Sequence, residues 1–454
     1  SRFLIDLNNK KWVVFDTTDR KKEVDKMKKK RWMAAGLAAV MTLSLAACGS
    51  SGGDSDSGSD SGGKKKISMS VWNGNWAEDL QAFEDDFNSK NDDIELDVTM
   101  QTGDYSDWLG ASTASNDLPD IYLMTPYAQV QSFAQAGRIM DLSDESFVDK
   151  VYPQALDSAT GTDGKVYAYP ANYEYLGVFY NKTLFEQAGI ESVPTTPDEF
   201  KEVCEKLEAA GIKPLGSTFK ESWTLKHLFS ELLTPFVQDD ISGFIDSLNS
   251  GKGTFDVEGI DQVFDFLDIV KEYAVDNMMD QDSNAGYNAL ANGEVAMLLT
   301  GEFSQTTVAA ADPVQEIGVF ATPVSDDPSQ NKLSVDVGIC YVINSETEYP
   351  DECRRVLEYM SNPDEEGGYM QLVSQDPGDA MPAMPFDGGV ESPARTDYEA
   401  YVDAGNTIPW VYQQYAAGFD VESGDIIQGY MSGAADRDTI IKQLDEAYLN
   451  YIAE

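Results

Sequence analysis

The stretch Tyr169–Asn181, reading Tyr-Pro-Ala-Asn-Tyr-Glu-Tyr-Leu-Gly-Val-Phe-Tyr-Asn, constrains this chain more than any other. It is dense in aromatic and β-branched residues and follows a turn signal at Gly161–Gly164, with Pro170 just before the strand's start. A buried strand is predicted. Glu174 sits in it among Tyr173, Tyr175, Phe179 and Tyr180, and a carboxylate in such company is costly unless it is paired, hydrated or reserved for a ligand. The strand is expected to carry the chain from one lobe to another beside a ligand cleft. A length of 454 residues agrees, because single cores stop growing well short of that size.

Charge and histidine content exclude several classes of function. Residues 1–66 hold 14 Lys/Arg against 8 Asp/Glu, whereas residues 67–454 hold 18 against 71. Such an acidic body repels nucleic acid and anionic membrane, since phosphate binding needs basic patches. The single histidine, His227, rules out a multi-histidine metal site and would have to serve any Ser-His-Asp triad. No metal or cofactor is expected.

The amino-terminal segments read as address rather than fold. Residues 1–26 show no sustained period; a small strand pair is one reading, translated upstream sequence ahead of Met27 the other. Lys28–Arg31 form a basic region, Met33–Leu45 an apolar run short of a comfortable bilayer span, and Leu45-Ala46-Ala47-Cys48-Gly49 closes it. This resembles the lipobox of bacterial lipoproteins. The resemblance implies a signal peptide at 27–47, diacylglyceryl attachment at Cys48 and anchoring to the outer face of the cytoplasmic membrane. The Ser/Gly/Asp-rich run that follows makes 48–66 a flexible tether.

From Ile67 onward the pattern is α/β. Strands are predicted at Ile67–Trp72, Ile94–Met100 and Asp120–Met124, with a helix between the first two that Asn75 caps and that turns Trp76, Leu80, Phe83 and Phe87 inward. Ligands in parallel sheets lie beyond the carboxyl ends of the strands, which points to Trp72–Trp76, to Gly103–Trp108 with Tyr105, and to Met124–Tyr127. Core packing and ligand contact remain open for Trp72, Trp76 and Trp108. Thr196-Pro197-Asp198-Glu199 is a capping box, and Gly211 stops that helix, whose inward stripe includes Cys204. Further elements are a helix over Val257–Tyr273, a strand Val295–Leu299, a strand Val335–Ile343 and a helix Pro350–Met360. Cys340 and Cys353 are expected to be buried free thiols, although export would permit a disulfide. Trp410 is expected to be exposed in its Pro-rich context.

Tyr180-Asn181-Lys182-Thr183-Leu184-Phe185-Glu186-Gln187-Ala188-Gly189 with Pro194–Phe200, Leu118-Pro119-Asp120-Ile121, Asn292–Met297 before Gly301, and Glu358–Pro363 occur in an order that resembles the family 1 extracellular solute-binding proteins of ABC importers, the group that includes the maltose-binding proteins. The resemblance covers residues 67–454. It implies a two-lobed periplasmic-binding-protein-like α/β fold with discontinuous lobes, 67–172 with 322–368 and 177–320 with 371–454. The hinge would lie near 172–176, 320–323 and 367–372. It further implies a monomer, no enzymatic activity, a carbohydrate ligand, and permease subunits of an ABC importer as partners. Carried onto this chain, Asn73 and Asn75 supply polar contacts, Glu174 acts at the first crossing, and Trp223 and Phe303 stack on sugar, with Trp410 a third aromatic. Tyr122–Tyr127 lacks the tryptophan and acidic pair of maltodextrin binders, which argues against that cargo. Two other classes stay open on residues alone: a lipid-anchored glycoside hydrolase, although no carboxylate pair stands out, and a surface adhesin or scaffold lipoprotein.

Overall fold

The computed structural model describes residues 3–6, 11–14, 64–72, 77–103, 105–366, 368–376, 378, 381–386 and 388–453. Two compact units divide the chain, residues 1–61 and 62–454. In the first, β1 (Phe3–Asp6) and β2 (Lys11–Val14) pair antiparallel, the strand pair that the sequence leaves open. The expected signal run 27–47, Cys48, and residues 48–63 of the expected tether 48–66 lie outside the described residues, as do Asn73, Asn75 and Trp76; Lys65 and Lys66, placed in that tether by the sequence, instead pair with Ile94 and Glu95 at the start of the first strand of the sheet.

The second unit is built on one mixed ten-stranded sheet. β3 (Lys65–Trp72) lies parallel to β4 (Ile94–Gln101) on one side and to β5 (Ile121–Met124) on the other. The helix Ala77–Lys90 joins β3 to β4 and buries Leu80, Phe83 and Phe87, as their spacing predicts. β6 (Tyr169–Asn181) ends where the aromatic stretch does and begins two residues earlier than predicted, taking in Pro170. β7 (Lys213–Leu215) runs parallel to β8 (Val295–Gly301) at the far edge. β9 (Ile317–Phe320) pairs with β6, and β10 (Leu333–Ile343) joins β5 to β6. Two short strands complete the sheet, β11 (Met381–Pro382) on β6 and β12 (Thr407–Ile408) on β10.

β6 changes partners half-way along. Tyr169–Leu176 pairs with β10, and Leu176–Asn181 pairs with β8 and β9. Gly177 sits at the exchange, where a Cβ would fall 2.8 Å from the Phe320 carbonyl oxygen, so only glycine lets β9 approach. The buried apolar residues separate at the same place. One cluster gathers Ile67–Ala171 and Val337–Met384, and another gathers Leu176 and Val178 with Phe185–Ala274, Phe320 and Trp410–Tyr448. A third, smaller cluster holds Tyr175, Phe179 and Tyr398.

Local signals explain most boundaries. Thr196 accepts from Glu199 N and starts the Pro197–Ala209 helix, while the Glu199 carboxylate bonds Thr195, one residue before the reciprocal partner that a capping box predicts. The helix expected over Val257–Tyr273 begins only at Ile260, because Gly259 takes a left-handed φ of 92° at its N-terminus. Cys204, Cys340 and Cys353 are buried free thiols. Burial raises all three thiol pKa values, which leaves them protonated and inert.

Candidate functional site

The Ser222–Val237 helix sets the geometry of the site. Leu225, Leu228, Phe229, Leu232 and Leu233 anchor it in the core. Trp223, His227 and Glu231, each four residues after the last, stack down another face. That face looks onto a narrow recess lined also by Leu176 from β6, by Leu299 and Thr300 from β8, and by Phe303. Phe303 folds back over Gly301, where a Cβ would collide with its ring. Glycine at that position leaves room for the Phe303 ring.

Aromatic rings surround His227. Trp223 meets it edge-on at 5.6 Å between centroids and meets Phe303 at 5.9 Å. Trp410 and Tyr412, stacked on each other, lie 5.9 and 5.1 Å from the imidazole. His227 Nδ1 and Trp410 Nε1 are buried with no hydrogen-bond partner among the described residues. Leaving such a group unpaired costs about 1–3 kcal/mol. Burial holds the imidazole well below its usual pKa, and Lys226 pushes the same way, although Lys226 itself is paired with Asp420 at 2.7 Å. Glu231, 7% exposed, accepts from Thr322 Oγ1 at 2.5 Å. Burial pushes its carboxyl up to about 8, so at neutral pH the acid is protonated and neutral.

A second polar group lies where β6 meets β10. Asp336 stands opposite Glu174 in register. Its carboxylate accepts from Tyr127 OH at 2.9 Å, from Trp410 N at 2.9 Å and from Val337 N at 2.8 Å. Burial outweighs these bonds and raises Asp336 to about 6; it raises Glu174 to about 7, with an Asn172 hydrogen bond opposing. A Cβ at Gly338 would run into the Glu174 carboxyl, so the glycine makes room for it. Tyr127 holds a φ of 56°, a conformation that a bulky residue adopts only when its surroundings compel it.

The family model for bacterial extracellular solute-binding proteins matches residues 73–367. The chain belongs to this family. One relative of the solute-binding protein is the multiple sugar-binding protein of Streptococcus mutans, 25% identical over 342 residues, which cover 72% of this chain and 77% of that one. Another is the diacetylchitobiose binding protein DasA of Streptomyces coelicolor, 31% identical over 198 residues, 41% of this chain and 45% of that one. Among solved structures, RafE in complex with raffinose superposes with a TM-score of 0.74 at 21% identity, covering 85% of this chain and 99% of that one. The fold of the solute-binding protein is thus the two-lobed α/β arrangement of that group.

The expected contact residues fall into three places. Trp223 and Phe303 come together at the recess, Trp223 being 37% exposed. Trp410 does not match its expected exposure: it is 1% exposed, because its ring packs against His227 and Tyr412 while its backbone N–H is tied to Asp336. Glu174 lies beside Asp336 and outside the recess lining. Tyr105 stands apart, its hydroxyl donating toward the carbonyls of Ser70 and Leu123 at 3.3 and 3.1 Å and so pinning the Tyr105–Ser115 helix to the ends of β3 and β5. The sequence marks Met124–Tyr127 as a segment beyond a strand end, but no motif in it singles out Glu231, Thr322 or Asp336, and His227, four positions beyond Trp223, reads as an ordinary helix residue. The four-residue spacing from Trp223 was the available signal for His227 and Glu231.

Proposed function

We propose that this solute-binding protein captures an oligosaccharide between two lobes and hands it to the permease of an ABC importer, while Cys48 tethers it by lipid to the outer face of the bacterial membrane. The observation that carries the cargo class is the pairing of Trp223 and Phe303 across a recess floored with polar groups. A pyranose has an apolar C–H face suited to aromatic rings and a hydroxyl rim suited to acids and imidazoles. The names of the relatives support the same class: multiple sugars, diacetylchitobiose and raffinose.

The lobes of this proposal are 67–172 with 322–368 and 177–320 with 371–454, hinged near 172–176, 320–323 and 367–372. The exchange of partners in β6 at Leu176 supports the first hinge. Trp223 and Phe303 stack on the sugar, Asn73 and Asn75 supply polar contacts together with Trp76, and Glu174 acts at the crossing. Trp410 and Tyr105 work from behind, holding other groups in place. Closure is a shift of population no larger than the difference in ligand affinity between open and closed states. The docked species is the closed monomer.

A thermal-shift screen of the full chain tests the reading with raffinose, stachyose, maltotriose and diacetylchitobiose, using amino acids and metal ions as controls. A sugar that binds the native state is expected to add about 2.7 kcal/mol at a hundredfold excess over Kd. Stabilisation by a sugar that is recovered intact supports the reading. A response confined to the controls discards the carbohydrate assignment.

A further inference from the structure

The recess ends on polar groups. Down the Ser222–Val237 helix the exposed ring of Trp223 gives way to His227 and then to Glu231, which is 7% exposed. Leu176, Leu228 and Leu299 make the rest of the lining largely apolar. In these surroundings His227 Nδ1 has no partner among the described residues, and the Glu231 carboxyl is held in place by Thr322 Oγ1 at 2.5 Å. The groups therefore stand oriented at the inner end of a recess whose mouth is aromatic.

We propose that His227 and Glu231 are specificity-determining residues, which together pair one hydroxyl on the terminal ring of a neutral oligosaccharide whose apolar face lies against Trp223 and Phe303. The inference rests on the oligosaccharide reading above. Burial keeps both groups uncharged at neutral pH, the acid by raising its pKa and the imidazole by lowering it. Uncharged hydrogen-bonding groups match a hydroxyl and match a carboxylate or ammonium poorly. The nearby charges of Lys226 and Asp420 are spent on each other. An apolar pocket discriminates weakly against an extra hydroxyl, whereas a site whose buried polar groups expect a hydroxyl rejects the analogue that lacks it. The inner end of this recess is of the second kind, and it selects by the position of a single hydroxyl.

Calorimetric titration of the full chain with raffinose, stachyose, maltotriose and diacetylchitobiose comes first, at about pH 6 to keep Glu231 protonated. The sugar that binds is then compared with its monodeoxy analogues at the terminal ring, in the wild type and in Glu231→Gln, Glu231→Leu and His227→Leu, each checked for a cooperative thermal transition. In the wild type one deoxy analogue is expected to bind at least about tenfold more weakly than the parent. Glu231→Gln, which keeps donor and acceptor, preserves that preference; Glu231→Leu and His227→Leu bind parent and analogue alike. His227→Leu carries the same test should Glu231→Leu fail to fold. Equal weakening of every sugar and analogue in the leucine variants would show a merely structural role and overturn the assignment, as would a wild type indifferent to every deoxy position. If no sugar titrates at all, the oligosaccharide reading falls, and this assignment falls with it for that separate reason.

Discussion

Glu231 makes the stability of the fold depend on pH, with a sign set by its burial. Its carboxyl is raised from an ordinary 4.5 to about 8. Between those values the folded chain keeps a proton that the unfolded chain has released, so the free energy of unfolding falls as pH rises, by at most about 1.4 kcal/mol per pH unit. The contribution is whole below 4.5 and is lost as the pH passes about 8. From about pH 5 to about pH 7 this one group removes about 2–3 kcal/mol. Glu231→Gln keeps an acceptor for Thr322 and cannot ionise. Urea unfolding of wild type and variant at both pH values isolates the effect, because Glu174 and Asp336, raised to about 7 and about 6, are present in both proteins and cancel in the difference. The variant is expected to lose about 2–3 kcal/mol less than the wild type over that interval. Equal losses in the two proteins would refute the reasoning.

Three further outcomes are expected. Trp223→Ala weakens binding of the sugar that titrates by about 1–3 kcal/mol, the scale of one large side chain, and unchanged affinity in calorimetry removes Trp223 from the site. Gly338→Ala drives a Cβ into the Glu174 carboxyl and costs about 1–3 kcal/mol in denaturant unfolding; adding Glu174→Ala recovers most of it, and a Gly338→Ala chain as stable as wild type would show that the two do not touch. Cys48→Ala moves the chain from the membrane fraction of its bacterial host to the medium, and retention in the membrane fraction argues against the lipid anchor.

Local chemistry made the elements legible. Aromatic density and Pro170 mark β6, and Pro350 at the first helical position with an inward stripe of Cys353, Val356, Leu357 and Met360 marks the Pro350–Met360 helix. Pairings between distant segments were not legible. Asp336 meets Glu174 only because β10 returns beside β6, and nothing near either residue in sequence announces the other. Trp410 follows Pro409 and reads as a loop residue, yet its burial depends on His227 and Tyr412, one of them contributed by a helix far upstream. The recess itself was half legible. Trp223 and Phe303 came from the family resemblance, whereas the depth of Glu231 depends on β6, β8 and Thr322 arriving around it.

The central position of β6 also governs when the chain can fold. Its neighbours in the sheet are β8, β9, β10 and β11, the earliest of which begins only at Val295, so β6 waits unpaired while a long stretch is synthesised. Closing so large a loop must be paid in chain entropy before any ladder rewards it, and folds dominated by such distant pairings form slowly. Slow closure keeps the strand at the centre of the sheet from locking until most of its partners exist, a delay that would serve any chain that must cross a membrane before it folds.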